Sequence, residues 1–124
     1  MKHPSENVRV ALAYNPSLPV QGNERLAHDD SLRVRASIAT HAALPASLHF
    51  QLATEQHEFI DEGLACNPNL AVELQDQLAL SDSEFMRWML AMNISVNDSV
   101  LTLLATDYSY HIQQALHDRY QQEQ

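Results

Sequence analysis

The chain repeats itself every 26 residues. Asn15-Pro16-Ser17-Leu18-Pro19 returns as His41-Ala42-Ala43-Leu44-Pro45, again as Asn67-Pro68-Asn69-Leu70-Ala71, and more faintly as Asn93-Ile94-Ser95-Val96-Asn97. Leu26-Ala27 returns in register as Leu52-Ala53, Leu78-Ala79 and Leu104-Ala105. A period of this length, without insertion or deletion, means supersecondary units that bury their apolar faces only by stacking on one another.

Columns spaced 26 apart give the physics of one unit. Val8, Val34, Ile60, Met86 and Ile112 share a column, and four residues later come Leu12, Ile38, Leu64, Leu90 and Leu116. An apolar i, i+4 pair in every copy is the core stripe of an α-helix. Ala11, Ser37, Gly63, Met89 and Ala115, with Ala13, Ala39, Ala65 and Ala91, are mostly small and allow neighbouring helices to approach closely. The column Asp29, Glu55, Ser81, Asp107 predicts the N-caps of these helices, with Ser81 and Glu84 in the form of a capping box. Asn15, His41, Asn67 and Asn93 predict their ends, asparagine being tolerant of the left-handed backbone that closes many helices.

After the Leu-Pro corner a shorter second helix of about two turns is expected, α or 3₁₀ in character. Its apolar positions are Leu48 and Leu52, Leu74 and Leu78, and Val100 and Leu104. In the first unit Gly22 takes the first of these positions, which predicts the weakest second helix there. The expected architecture is an all-α, right-handed solenoid of helix–turn–helix repeats forming one domain over residues 1–124. Its units run 3–28, 29–54, 55–80 and 81–106, with a C-terminal half unit at 107–120 whose polar face suits a cap. The first unit has nothing before it, so the chain is expected either to self-associate through residues 3–28 or to be a piece of a longer array.

Composition agrees with helices: two glycines against 45% apolar residues. No apolar run reaches the roughly 18–20 residues that span a bilayer. The N-terminal stretch lacks a signal-peptide core, and the lone cysteine, Cys66, cannot form an internal disulfide, so a cytoplasmic location is expected. The net charge of -9 is uneven. Residues 1–53 carry five cations against four acids, whereas residues 54–124 carry only Arg87 and Arg119 against twelve acids. That half would repel a phosphate backbone, so no nucleic-acid partner is expected, whereas a basic protein partner is electrostatically favoured.

The pattern Val8-Arg9-Val10-Ala11-Leu12-Ala13-Tyr14-Asn15-Pro16-Ser17-Leu18-Pro19 resembles the leucine-rich repeat variant family, as does Arg33-Val34-Arg35-Ala36-Ser37-Ile38-Ala39 followed by Leu44-Pro45. The resemblance is good over the first three units and weaker beyond. It implies a HEAT-like, right-handed stack of alternating α and 3₁₀ or short α helices. Some family members carry an N-terminal cysteine cluster for an iron–sulfur centre. Cys66 alone cannot ligate one, so the resemblance implies no cofactor here, and it implies no enzymatic activity.

Side-chain chemistry points the same way. The seven histidines, His3, His28, His41, His49, His57, His111 and His117, contain no i, i+4 pair and no HExxH pattern, so no metal site is expected. Cys66 reads as a small half-buried hydrophobe rather than a nucleophile, having no base signature nearby. Two columns invite a binding role. Arg9, Arg35, Asp61, Arg87 and Gln113 stack on successive first helices and read as a salt-bridge ladder with Asp61 between Arg35 and Arg87, or as a recognition stripe. Trp88 breaks the adjacent column Val10, Ala36, Glu62, Gln114, either as a binding hot spot or as a gap-filler beside Met86 and Met89. The reading is a non-catalytic protein-interaction scaffold. An acidic immunity or inhibitor protein that neutralises a basic toxin is the alternative. A HEAT-like nucleic-acid enzyme ranks below both, for want of a basic groove.

Overall fold

A computed structural model describes residues 4–122, and among these the only regular structure is α-helix. In chain order the helices are α1 (Glu6–Ala13), α2 (Val20–Ala27), α3 (Leu32–Ile38), α4 (Ala46–Ala53), α5 (Glu58–Ala65), α6 (Val72–Ala79), α7 (Glu84–Met92), α8 (Asp98–Leu104) and α9 (Tyr110–Gln122). Odd-numbered helices pack on one another in succession, α1 on α3, α3 on α5, α5 on α7 and α7 on α9. Among the even-numbered, α2 packs on α4 and α6 on α8, while α2, α4, α6 and α8 each back the odd helix that follows.

The i, i+4 stripe supplies the core. Val34, Ile38, Ile60, Leu64, Met86, Leu90 and Ile112 are buried, together with Ala13, Ala39, Ala65 and Ala91 and the leucines of α4 and α6. Gly63 shows how tightly the odd helices approach, for an added Cβ would lie 2.4 Å from the carbonyl oxygen of Ala36 on α3. At the N-terminal end the stripe is open: Val8 is 49% and Leu12 37% exposed.

The second helices have the expected two turns but are not shorter than α1, α3 and α5. They are α-helices of seven or eight residues, as long as α1, α3 and α5, because packing rather than intrinsic propensity sustains them. Gly22 does not shorten its helix: α2 runs eight residues, as many as α4 and α6. The side chain of Leu18 occupies the space a Cβ there would enter, its Cδ1 only 2.7 Å away.

The caps also differ. The N-caps lie two residues later than Asp29, Glu55, Ser81 and Asp107. The hydroxyls of Ser5, Ser31, Ser83 and Ser109 accept from the amides of Val8, Val34, Met86 and Ile112, and His57 Nδ1 accepts from Phe59 N–H. Asp29, Ser81 and Asp107 instead accept from the N–H two residues on and fold the chain into the cap. Nor do the asparagines adopt left-handed backbone, since the one positive φ among the described non-glycine residues is Gln56 at 53°. Each asparagine acts through its side chain. Asn67 Nδ2 donates to the carbonyls of Ala39 and His41, both at 2.9 Å, and its Oδ1 accepts from Asn69 N–H at 2.8 Å. Asn93 repeats the pattern on Ala65, Asn67 and Ser95. His41 makes the equivalent contact to Asn15 O, and Arg119 closes the series on Ala91, Asn93 and Ile94.

Candidate functional site

The arginine column is built into the fold. Arg9 grips Asp29 with Nε and Nη2 at 2.8 and 3.1 Å, while Nη1 donates to Pro4 O at 2.7 Å. Arg35 does the same to Glu55 and to the carbonyl of Asp29, and Arg87 to Asp107 and the carbonyl of Ser81. Each guanidinium thus reaches an acid 20 residues later, at the junction with the next odd helix. Burial pushes the Asp29 and Asp107 carboxyls up, but the arginines and the N–H groups of Ser31 and Ser109 more than offset it and hold both below the ordinary value.

This overturns the ladder with Asp61 between Arg35 and Arg87, because both arginines turn forward to acids of their own. Asp61 faces a column whose next member is Ser81, and no described side chain bonds to its carboxylate. Burial pushes that carboxyl up, against a smaller opposing effect of His57. Gln113 replaces the last arginine and donates to the carbonyls of Leu104, Ala105 and Asp107.

Trp88 is half-buried against the core and stacks on Phe85, with ring centroids 5.9 Å apart and planes 17° from parallel. On the same outer face of the odd helices lies an open groove of about 780 Å³. α3 and the turn after it line the groove with Leu32 and Arg33 and with the small Ala36, Ser37 and Thr40. Val10 and Tyr14 line it from α1 and its C-cap, and Phe59, Glu62 and Cys66 from α5 and its C-cap. Tyr14 and Phe59 are 59% and 57% exposed. Cys66, expected to be half-buried, opens onto the groove while part of it stays covered. Burial, with Glu62 beside it, pushes its thiol up and away from the reactive thiolate. Glu62 is itself pushed up by burial and by Glu58. Glu6 is held low by its hydrogen bonds from Arg33 and Ser31, and the Glu6–Arg33 pair spans 3.1 Å.

Sequence reasoning passed over Tyr14, Phe59 and Glu62. The signal for Phe59 lay in the column Asn7, Arg33, Phe59, Phe85, His111, which places two phenylalanines among polar residues and outside the apolar stripe. The histidines are dispersed. His41 and His49 are buried in hydrogen bonds, His57 caps α5, His28 and His117 face glutamines, and His111 lies 3.4 Å from Glu84. His3 lies outside the described residues. Among the described residues no three histidine, cysteine or acidic side chains converge on a metal-sized site, and no helix is long and apolar enough to cross a membrane.

Comparison with known protein families, with curated proteins and with solved structures returns no match.

Proposed function

We propose that the chain is a non-catalytic interaction module, a right-handed α-solenoid of 26-residue units in the manner of the leucine-rich repeat variant family, that binds a cationic protein. One observation carries the reading. Large apolar side chains, Tyr14, Phe59 and Phe85, stand exposed on one face together with acids that no described cation neutralises, Glu58 and Glu62 among them. Exposed aromatics rimmed by charge of one sign are the ordinary makings of a protein-binding surface. Arg9, Arg35 and Arg87 spend their guanidinium groups inside the fold, so Trp88 with its neighbour Phe85 is the stronger part of the stripe singled out in the sequence. The asymmetry of charge also favours a second reading, an acidic inhibitor of a basic toxin, in which the same face meets the toxin's cationic surface.

The test is capture. The chain, immobilised and exposed to lysate of its source cell, should retain a basic protein that raised salt elutes, because screening weakens such contacts. Trp88→Ala should retain less of it. Retention of nothing beyond what a charge-neutralised variant (Glu58→Gln, Glu62→Gln) holds would overturn the interaction reading. Retention of nucleic acid that nuclease removes would favour the nucleic-acid alternative.

A further inference from the structure

We infer that the groove along α3 is a docking site for a cationic amphipathic helix, which lays its apolar side chains between Tyr14 and Phe59 and sets a lysine or arginine against Glu62. The inference rests on the interaction reading and adds the face, the shape of the occupant and its register.

Shape comes first. Past Leu32 and Arg33 the trough carries the small Ala36, Ser37 and Thr40, and the Tyr14 and Phe59 rings line it from α1 and α5. A row of small residues between two raised helices is the groove into which a further helix packs, at the usual spacing of roughly 8–10 Å. The seven residues of α3 give a trough of about 10 Å, or two turns of an occupant. An extended peptide would gain less. The backbone N–H and C=O groups of α1, α3 and α5 are spent within those helices, so no free edge offers main-chain pairing, whereas a helix arrives with its own backbone satisfied.

Charge selects the sign. Of the three charged side chains lining the groove, Glu6 and Arg33 neutralise each other and Glu62 has no cation. Glu58 lies one turn earlier on α5 and adds to the negative field. Burial and Glu58 already disfavour the Glu62 carboxylate, and the attraction of a cationic side chain placed there would offset both effects. An anionic helix would worsen them.

The experiment uses the full chain, isotope-labelled, and three fluorescein-tagged synthetic helices of about four turns. All three carry the same leucine face, and their polar faces are lysine, glutamine or glutamate. The lysine helix should bind most tightly and the glutamate helix least. Amide shifts on titration should gather on α3 and on the facing parts of α1 and α5. Tyr14→Ala and Phe59→Ala remove exposed rings, so the fold should persist, and each should weaken the lysine helix by about tenfold. Glu62→Lys should invert the order of the lysine and glutamate helices, while Glu73→Lys, on α6, should leave it unchanged. Equal binding of all three helices would overturn the charge assignment. Lysine-helix binding that the Tyr14 and Phe59 variants leave intact, or shifts gathered on α2, α4 and α6, would overturn the groove while leaving the interaction reading standing. No binding of the lysine helix would overturn the groove alone if lysate capture still yields a basic protein, and both readings if it does not.

Discussion

The side-chain amide of Asn93 donates at 2.9 Å to the main-chain carbonyl of Asn67, the residue 26 positions earlier that makes the same bond to His41. Each bond fixes one odd helix end to the one before it, inside the fold where water cannot substitute. Asn67 is fully buried and makes two such donations. Asn67→Leu takes the amide donor from the Ala39 carbonyl and the acceptor from Asn69 N–H, leaves the His41 carbonyl with Leu44 N–H alone, and should cost about 2–4 kcal/mol. Urea unfolding should show a lower midpoint at unchanged slope. Asn15→Ala, at the exposed start of the series, should shift the midpoint little. Equal losses at the two positions would mean that the amide series does not carry the stacking.

The α5–α7 junction lacks the ion pair found at the junctions α1–α3, α3–α5 and α7–α9. Installing one by Asp61→Arg with Ser81→Asp should show a favourable coupling of about 1 kcal/mol in a double-mutant cycle. Asp61→Asn alone should stabilise at neutral pH, since burial raises that carboxyl and so penalises its charged form. As pH falls, the folded wild type takes up that proton before the unfolded chain does, and the advantage of Asn should fade. Asp29 and Asp107, held low, have the opposite sign, so the stability they contribute is lost as pH falls through the acid range. A coupling of zero would show the geometry of the α5–α7 junction to be unlike that of the others.

Gly63→Ala should destabilise by about 1–3 kcal/mol despite the better helix propensity of alanine, because the new methyl meets the Ala36 carbonyl on α3. Circular dichroism at a series of temperatures should report the loss with the helical signal retained. A stabilised variant would mean that α5 stands further from α3.

His49 and Asn23 share a column but should respond differently. His49, 1% exposed, accepts from Ala71 N–H at Nδ1, and burial lowers its pKa below the ordinary 6.5. The unfolded chain then binds the proton more tightly, so the stability present at neutral pH should fall as pH drops below that value. His49→Leu should abolish this dependence and cost about 1–3 kcal/mol through the orphaned N–H. Asn23 meets Pro45 at the equivalent place, where no N–H exists, and its Oδ1 is buried without a partner. Its Nδ2 makes only a long bond to Ala43 O, at 3.4 Å, so Asn23→Leu should be close to neutral; Leu101 stands in the same column. Matched losses at both sites would refute the assignment.

Val8 and Leu12 leave apolar surface at the N-terminal end that each later unit covers with a neighbour. Sedimentation across a concentration series should show self-association that Leu12→Lys abolishes. A species monomeric to millimolar concentration would show that this surface tolerates water.

The helical class, the columns that become core and the open N-terminal stripe were legible in the sequence, because each follows from periodic burial of side chains along a helix. What Asp29 and Asp107 do was not. Their position near a helix start reads locally as a cap, yet the serines two residues later take that role and the carboxylates turn to arginines 20 residues earlier. The asparagines likewise read as backbone specialists and prove to be side-chain donors. The groove was invisible for the same reason. Its lining comes from four helices, α1, α3, α5 and α7, and which small residues lie between which rings depends on how those helices pack. Spacing along the chain determines which face of a helix is apolar. Only the tertiary structure decides which polar group on one helix meets which on the next, since that pairing is set by distances through space between residues 20 to 28 positions apart.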